Sequence, residues 1–152
     1  MAALDVIDET FVLADPAAVA AAFADPARWP ALWPDLELHV FADRGAAGTR
    51  WSVGGRWTGS AEVWCEAVAG GTVLHWFLRL DPTEGPAGES ARQLLRGRQG
   101  PAREALRRQR AAKAIAFGLK ATLEAPDSAA DGPGWRRRPG EPTVPGEPVV
   151  AG

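Results

Sequence analysis

Between Leu36 and Leu80, four successive stretches place apolar side chains at every second position, with only short links between them. That period is the mark of a strand with one buried face. Leu36, Leu38, Val40 and Ala42 make the first row, and Thr49, Trp51 and Val53 the second. Ala61, Val63, Cys65 and Ala67 make the third, and Leu74, Trp76, Leu78 and Leu80 the fourth. Links this short leave no room for crossover helices, so the strands run as an antiparallel meander. A further strand is expected over residues 4–13, where Ile7, Phe11 and Leu13 share one face with Glu9 between them.

The last hairpin can be registered from its turn. Gly70-Gly71 suits a two-residue primed turn, which sets Ala69 against Thr72, Cys65 against Trp76 and Val63 against Leu78. One face is then wholly apolar, while the other pairs Glu66 with His75 and Glu62 with Arg79. A slip by one residue would bury those charges. In the preceding hairpin a turn at Trp57-Thr58-Gly59 sets Trp51 opposite Cys65 and Arg50 opposite Glu66, so Arg50, Glu66 and His75 are expected as an outer ion-pair cluster.

Two Asp-Pro pairs, Asp15-Pro16 and Asp25-Pro26, start short helices after the first strand, since Asp caps and Pro suits the first helical position. Pro30 and Pro34 cut the second one short, leaving Trp29 and Trp33 to pack it onto the sheet. A long helical segment spans 90–124, interrupted at Gly100-Pro101, with Ala105, Ala112, Ala116, Leu119 and Leu123 on one stripe. Residues 125–152 are rich in Pro, Gly and Arg and are expected to be a disordered tail.

These elements imply an α+β domain over 1–124 with an apolar concave wall. Leu38, Val40, Trp51, Val53 and Val63 are expected to line it, with Cys65, Trp76 and Leu78. Ala112, Ala116 and Leu119 face them from the helix, and Phe11 and Glu9 come from the first strand. Such walls suit a hydrophobic small molecule. They argue against an enzyme, because acid–base chemistry needs titratable groups at the reacting atom and only Glu9 offers one, with an outward position through a bulge as the competing reading. Cys65 reads as a small buried hydrophobe, not a nucleophile. With two histidines and one cysteine at no ligand spacing, neither a metal nor a cofactor site is expected. A single cysteine fits a reducing, cytoplasmic setting, and Met1-Ala2-Ala3-Leu4-Asp5 lacks the basic segment of a signal peptide. The alanine-rich run 17–24 is too short to be a transmembrane segment.

The chain resembles the START-like or Bet v1-like (SRPBCC) superfamily, and in particular its bacterial polyketide cyclase/dehydrase and lipid transport members. The resemblance rests on Asp8-Glu9-Thr10-Phe11-Val12 through Asp15-Pro16-Ala17-Ala18-Val19, on Trp29 to Leu36, on Glu62-Val63-Trp64, on Val73 to Leu78, and on Lys113 to Leu123. It implies a helix-grip fold, a curved antiparallel sheet around the long C-terminal helix, here with about five strands, fewer than usual. It also implies binding of a lipid, polyketide or isoprenoid in a cavity between sheet and helix, or cyclase/dehydratase activity. No catalytic residue carries over from it, and neither does an oligomeric state.

Charge is unevenly spread. The first 91 residues hold 13 acids and 5 arginines, whereas residues 92–120 hold nine Lys or Arg against the single acid Glu104. A basic helix can serve as a nucleic-acid or protein interaction module. No stacked-aromatic or helix-turn-helix pattern accompanies the charges, so the preferred reading is the solvated back of a helix, without a nucleic-acid partner.

Overall fold

The computed structural model describes residues 1–124; the tail expected over 125–152 lies outside the described residues. Strands β1 (Leu4–Val12), β2 (Glu37–Asp43), β3 (Gly48–Gly54), β4 (Trp57–Val68) and β5 (Gly71–Pro82) form one antiparallel sheet in the order β1-β5-β4-β3-β2. Helices α1 (Pro16–Ala21) and α2 (Trp29–Leu32) follow β1, and α3 (Glu89–Leu94) and α4 (Gly100–Leu123) follow β5. Helix α4 packs against the sheet along β1, giving the helix grip. Pro26 and Pro101 occupy first-turn positions, where the missing N–H is not needed.

The meander keeps the expected faces but not the expected registers. Val68 pairs with Gly71, and Ala69-Gly70 forms the turn, so Cys65 opposes Leu74 and Val63 opposes Trp76. The cause is a neighbour distant in sequence. Gly70 takes a positive φ of 83°, whereas Gly71 must stay in the strand, where β1 passes so closely that a Cβ would lie 2.4 Å from the Val12 carbonyl oxygen. In the β3–β4 hairpin the turn is Gly55-Arg56, placing Trp51 opposite Ala61 and Arg50 opposite Glu62. Trp57 is therefore no turn residue; it is fully buried and its indole N–H donates to Asp35 Oδ2 at 3.2 Å. Both shifts are by an even number of residues, so every side chain keeps its face.

β1 departs from expectation in the opposite sense. Leu4, Val6, Asp8, Thr10 and Val12 point inward, while Ile7 and Phe11 are 50% and 43% exposed. Glu9 and Phe11 thus sit on the convex side, away from the concave wall assigned to them. Both faces of this strand carry apolar residues. The balance is set by Lys113 of α4, whose ammonium ion-pairs with Asp8 Oδ1 at 2.9 Å and donates to Thr10 Oγ1 at 2.9 Å. A buried carboxylate and hydroxyl are tolerated once they are so partnered. Helix α4 also covers the outer edge of β1: Gln109, Lys113 and Lys120 donate to the carbonyl oxygens of Ile7, Glu9 and Phe11.

Candidate functional site

Five aromatic rings fill the concave side of the sheet. Trp33, reaching in from the end of α2, stacks on Trp76 with centroids 4.7 Å apart and planes 2° apart. Phe23 stacks against Trp33 from the far side at 5.9 Å. Trp51 meets Trp33 at 5.7 Å and Trp29 edge-on at 5.4 Å. The gap left between this cluster and α4 measures about 20 Å³ and is lined by Val63, Leu74, Trp76, Ala112, Ala116 and Asp8 among others. That is room for about one water. The apolar cavity expected between sheet and helix is therefore largely occupied by Trp33 and Phe23, side chains contributed from outside the meander.

Two larger spaces flank the gap along α4. Toward its C-terminal half lies an apolar groove of about 480 Å³, walled by Ala18, Ala21 and Ala22 on one side and by Ile115, Gly118 and Leu119 on the other. Phe23 and Leu32 add to its apolar lining, and Arg28 and Thr122 are its polar members. Toward the N-terminal half lies a pocket of about 240 Å³ with Trp33, Trp76, Leu78 and Ala112 as its apolar lining and Asp35, Arg56, Arg107 and Arg108 as its polar lining. Leu32 lines both spaces.

Of the residues expected to line a site, Leu119 reaches the large groove, and Val63, Ala112 and Ala116 reach the small gap. Trp76 lines the gap and the smaller pocket, and Leu78 lines the pocket. Trp51, Val53 and Cys65 are buried in the core. Leu38 packs against that core from β2, whereas Val40, beside a bulge in the same edge strand, is largely exposed. Sequence reasoning passed over Asp35, Arg56, Arg108 and Asp8. Asp35 pairs with Arg56 and Arg108, and Asp8 with Lys113, across 21 to 105 residues, so no local spacing announces these contacts.

The ionic cluster at the smaller pocket is built on Asp35, which follows the Pro34 break. Arg108 binds its carboxylate through both terminal nitrogens, and Arg56 adds a third contact at 2.8 Å. Glu104, one turn before Arg108, takes the Arg108 Nε at 3.1 Å and the Arg107 Nε at 3.0 Å. Burial pushes the Asp35 carboxyl up, but hydrogen bonds from Arg108 and then Arg56, with their charges, outweigh it and hold the group down at about 2. Hydrogen bonding to Glu104 raises Arg107 further. Burial pushes the Cys65 thiol up to about 11, so it is no thiolate nucleophile near neutrality.

On the convex face, His75 is buried against Trp64, ring centroids 4.3 Å apart, with Glu66 Oε2 2.8 Å from Nε2 and Glu9 Oε1 3.3 Å from Nδ1. The second is a close approach without an aligned hydrogen bond. Arg50 does not join this cluster, because the four-residue register shift sends it to Glu62 together with Arg44. The basic helix is likewise engaged within the molecule, since Arg107, Arg108, Lys113 and Lys120 all contact carboxylates. No helix of the described residues is long and apolar enough to cross a membrane.

No protein-family profile and no curated protein matches the sequence. Among solved structures, the Aha1 dimer from Colwellia psychrerythraea superposes with a TM-score of 0.52 at 12% identity, over 80% of this chain and 97% of that one. DR_A0006 from Deinococcus radiodurans gives a TM-score of 0.45 at 17% identity over 69% and 96%, and TTHA0849 from Thermus thermophilus gives 0.44 at 18% over 78% and 98%. The chain has an α+β helix-grip fold, a five-stranded antiparallel sheet gripping a long C-terminal helix. Such likeness defines the fold, and the function has to be argued from the spaces along α4.

Proposed function

We propose that the protein binds a hydrophobic small molecule (a lipid, polyketide or isoprenoid) in the groove between α1–α2 and the C-terminal half of α4. The observation that carries this reading is Gly118. A glycine within a helix costs about 1 kcal/mol relative to alanine, yet nothing lies within 4 Å of where its Cβ would stand. The space in front of it is bounded by three alanines of α1 and its C-terminus, so the groove is kept wide by small residues on both walls. Its volume of about 480 Å³ falls in the range of small-molecule sites.

Gly118→Leu would fill the groove and raise helix propensity together. Native mass spectrometry of protein isolated from its own cells, with thermal-shift titration against fatty acids, isoprenols and aromatic polyketides, is expected to show a bound apolar species for the parent chain. Gly118→Leu is expected to lose that binding with a melting temperature unchanged or higher. Retained binding in this variant, or no stabilisation of the parent by any of the three classes, would count against the groove.

An enzymatic reading of the cyclase or dehydratase type is favoured by one observation. Asp8, 7% exposed, lines the interior gap and is held by Lys113 and Thr10. A carboxylate at an apolar wall can serve as acid or base through one water; the gap beside Asp8 has room for about one, and Phe23 and Ile115 line both that gap and the groove where a chain would be confined. Asp8→Asn should then abolish turnover of a bound polyketide while leaving its affinity within about twofold; unchanged turnover removes Asp8 from the chemistry.

A further inference from the structure

The smaller pocket differs from the groove in carrying more hydrogen-bond donors than its own acceptors can use. Three guanidinium groups, Arg56, Arg107 and Arg108, face two carboxylates, Asp35 and Glu104. Asp35 Oδ2 already accepts from Arg56, Trp57 and Arg108 at once, while Arg56 Nε is buried with no partner among the described residues. Arg108 is 7% exposed, so the positive charge is fixed in place and partly shielded from water, where it acts more strongly on an anion. The cluster therefore holds one positive charge more than negative. Directly beneath it lie the apolar side chains of Trp33, Trp76 and Leu78.

We propose that this pocket receives the carboxylate head of the ligand, its oxygens meeting Arg56 and Arg107, with the apolar body passing Leu32 into the groove beside Gly118. The proposal rests on the groove reading and narrows it to an amphiphile with a single negative charge. One carboxylate neutralises the surplus, whereas a dianionic phosphate would reverse it. Arg108 and Asp35 position the other guanidinium groups and need not touch the ligand.

Dodecanoate, dodecanol and dodecyl phosphate, titrated calorimetrically against the full chain, separate the possibilities. Dodecanoate is expected to bind at least about tenfold more tightly than dodecanol, a modest return for charge-assisted hydrogen bonds, and more tightly than dodecyl phosphate. Arg56→Gln and Arg107→Gln should each shrink the acid–alcohol difference, which also falls with added salt; Arg110→Gln, an equal change of charge on the exposed face of α4, should not. The comparison among ligands on the unaltered chain stands even if one variant folds poorly. Equal affinities for acid and alcohol overturn the head-group assignment and leave the groove reading intact. Tighter binding of the phosphate overturns the choice of a singly charged head. Binding of none of the three overturns the head-group assignment, while the groove reading falls only if the isoprenols and polyketides fail as well.

Discussion

The two halves of α4 present the same stripe to the rest of the fold and do opposite things with it. Gly100, Glu104, Arg108, Ala112 and Ala116 follow one another at intervals of four and are all buried. In the first half the buried side chains are long and charged, and Arg108 reaches back across 73 residues to clasp Asp35 with two nitrogens. In the second half they are methyl groups; the space between helix and sheet is filled from elsewhere, by Trp33 and Phe23, and a groove stays open between the helix and α1–α2. A directional ionic contact tolerates one placement of the helix, while a row of methyl groups tolerates many. The lesson is a division of labour along a single helix: one end is clamped, which allows the other end to stand off from its neighbours and leave open volume beside it.

The largest effect should come from breaking the clamp. Asp35→Ala strands the buried Arg108 guanidinium with Glu104 alone and should cost about 3–5 kcal/mol in chemical denaturation; a loss below about 1 kcal/mol would mean that α4 is held by its apolar half. Ala116→Leu attacks the other end. With only about 20 Å³ in front of it, the added carbons overpack the aromatic cluster and should cost up to about 3 kcal/mol, again read from a denaturation midpoint.

Acid separates the halves without mutation. The Asp35 carboxyl is held at about 2 against its ordinary 3.8. A folded-state value below the unfolded one gives stabilisation that is complete above the ordinary value and disappears as pH falls through the depressed one. About 2 kcal/mol should therefore be lost between pH 5 and pH 2 on account of this group. Ala116→Leu should keep that contribution and Asp35→Asn should lack it, a contrast visible in urea titrations at the two pH values. The smallest effect is expected at the periphery of the clamp, where Arg107, largely exposed, pairs with Glu104 three residues earlier; Arg107→Gln should change stability by less than about 0.5 kcal/mol.

Faces of the meander were legible in the sequence because alternation survives any even shift of register, and both hairpins shifted by even numbers. The registers were not, since the choice between Gly70 and Gly71 as the turn glycine depends on how closely β1 runs past β5, a contact between opposite ends of the meander. β1 could not be oriented from its own residues either. Ile7, Phe11 and Leu13 make as good an apolar row as Leu4, Val6 and Val12, and the polar members of the buried row, Asp8 and Thr10, are satisfied by a lysine over 100 residues away. The same distance hid the site. The apolar walls were foreseen, but Trp33 was expected to pack α2 onto the sheet, not to occupy its hollow, and the partnership of Asp35 with Arg108 follows from no spacing along the chain. Local pattern reports which side of a strand is wet; it does not report what comes to lie on the dry side.

The lid that α4 places over the margin of β1 bears on self-association. Carbonyl oxygens of Ile7, Glu9 and Phe11 would otherwise offer an incoming strand a row of acceptors, and three long side chains occupy them instead. Any event that lifts this helix would uncover a template for intermolecular β-pairing, flanked by the already exposed Ile7 and Phe11. Keeping the terminal helix seated thus guards the chain against its own copies as well as holding open the groove beside Gly118.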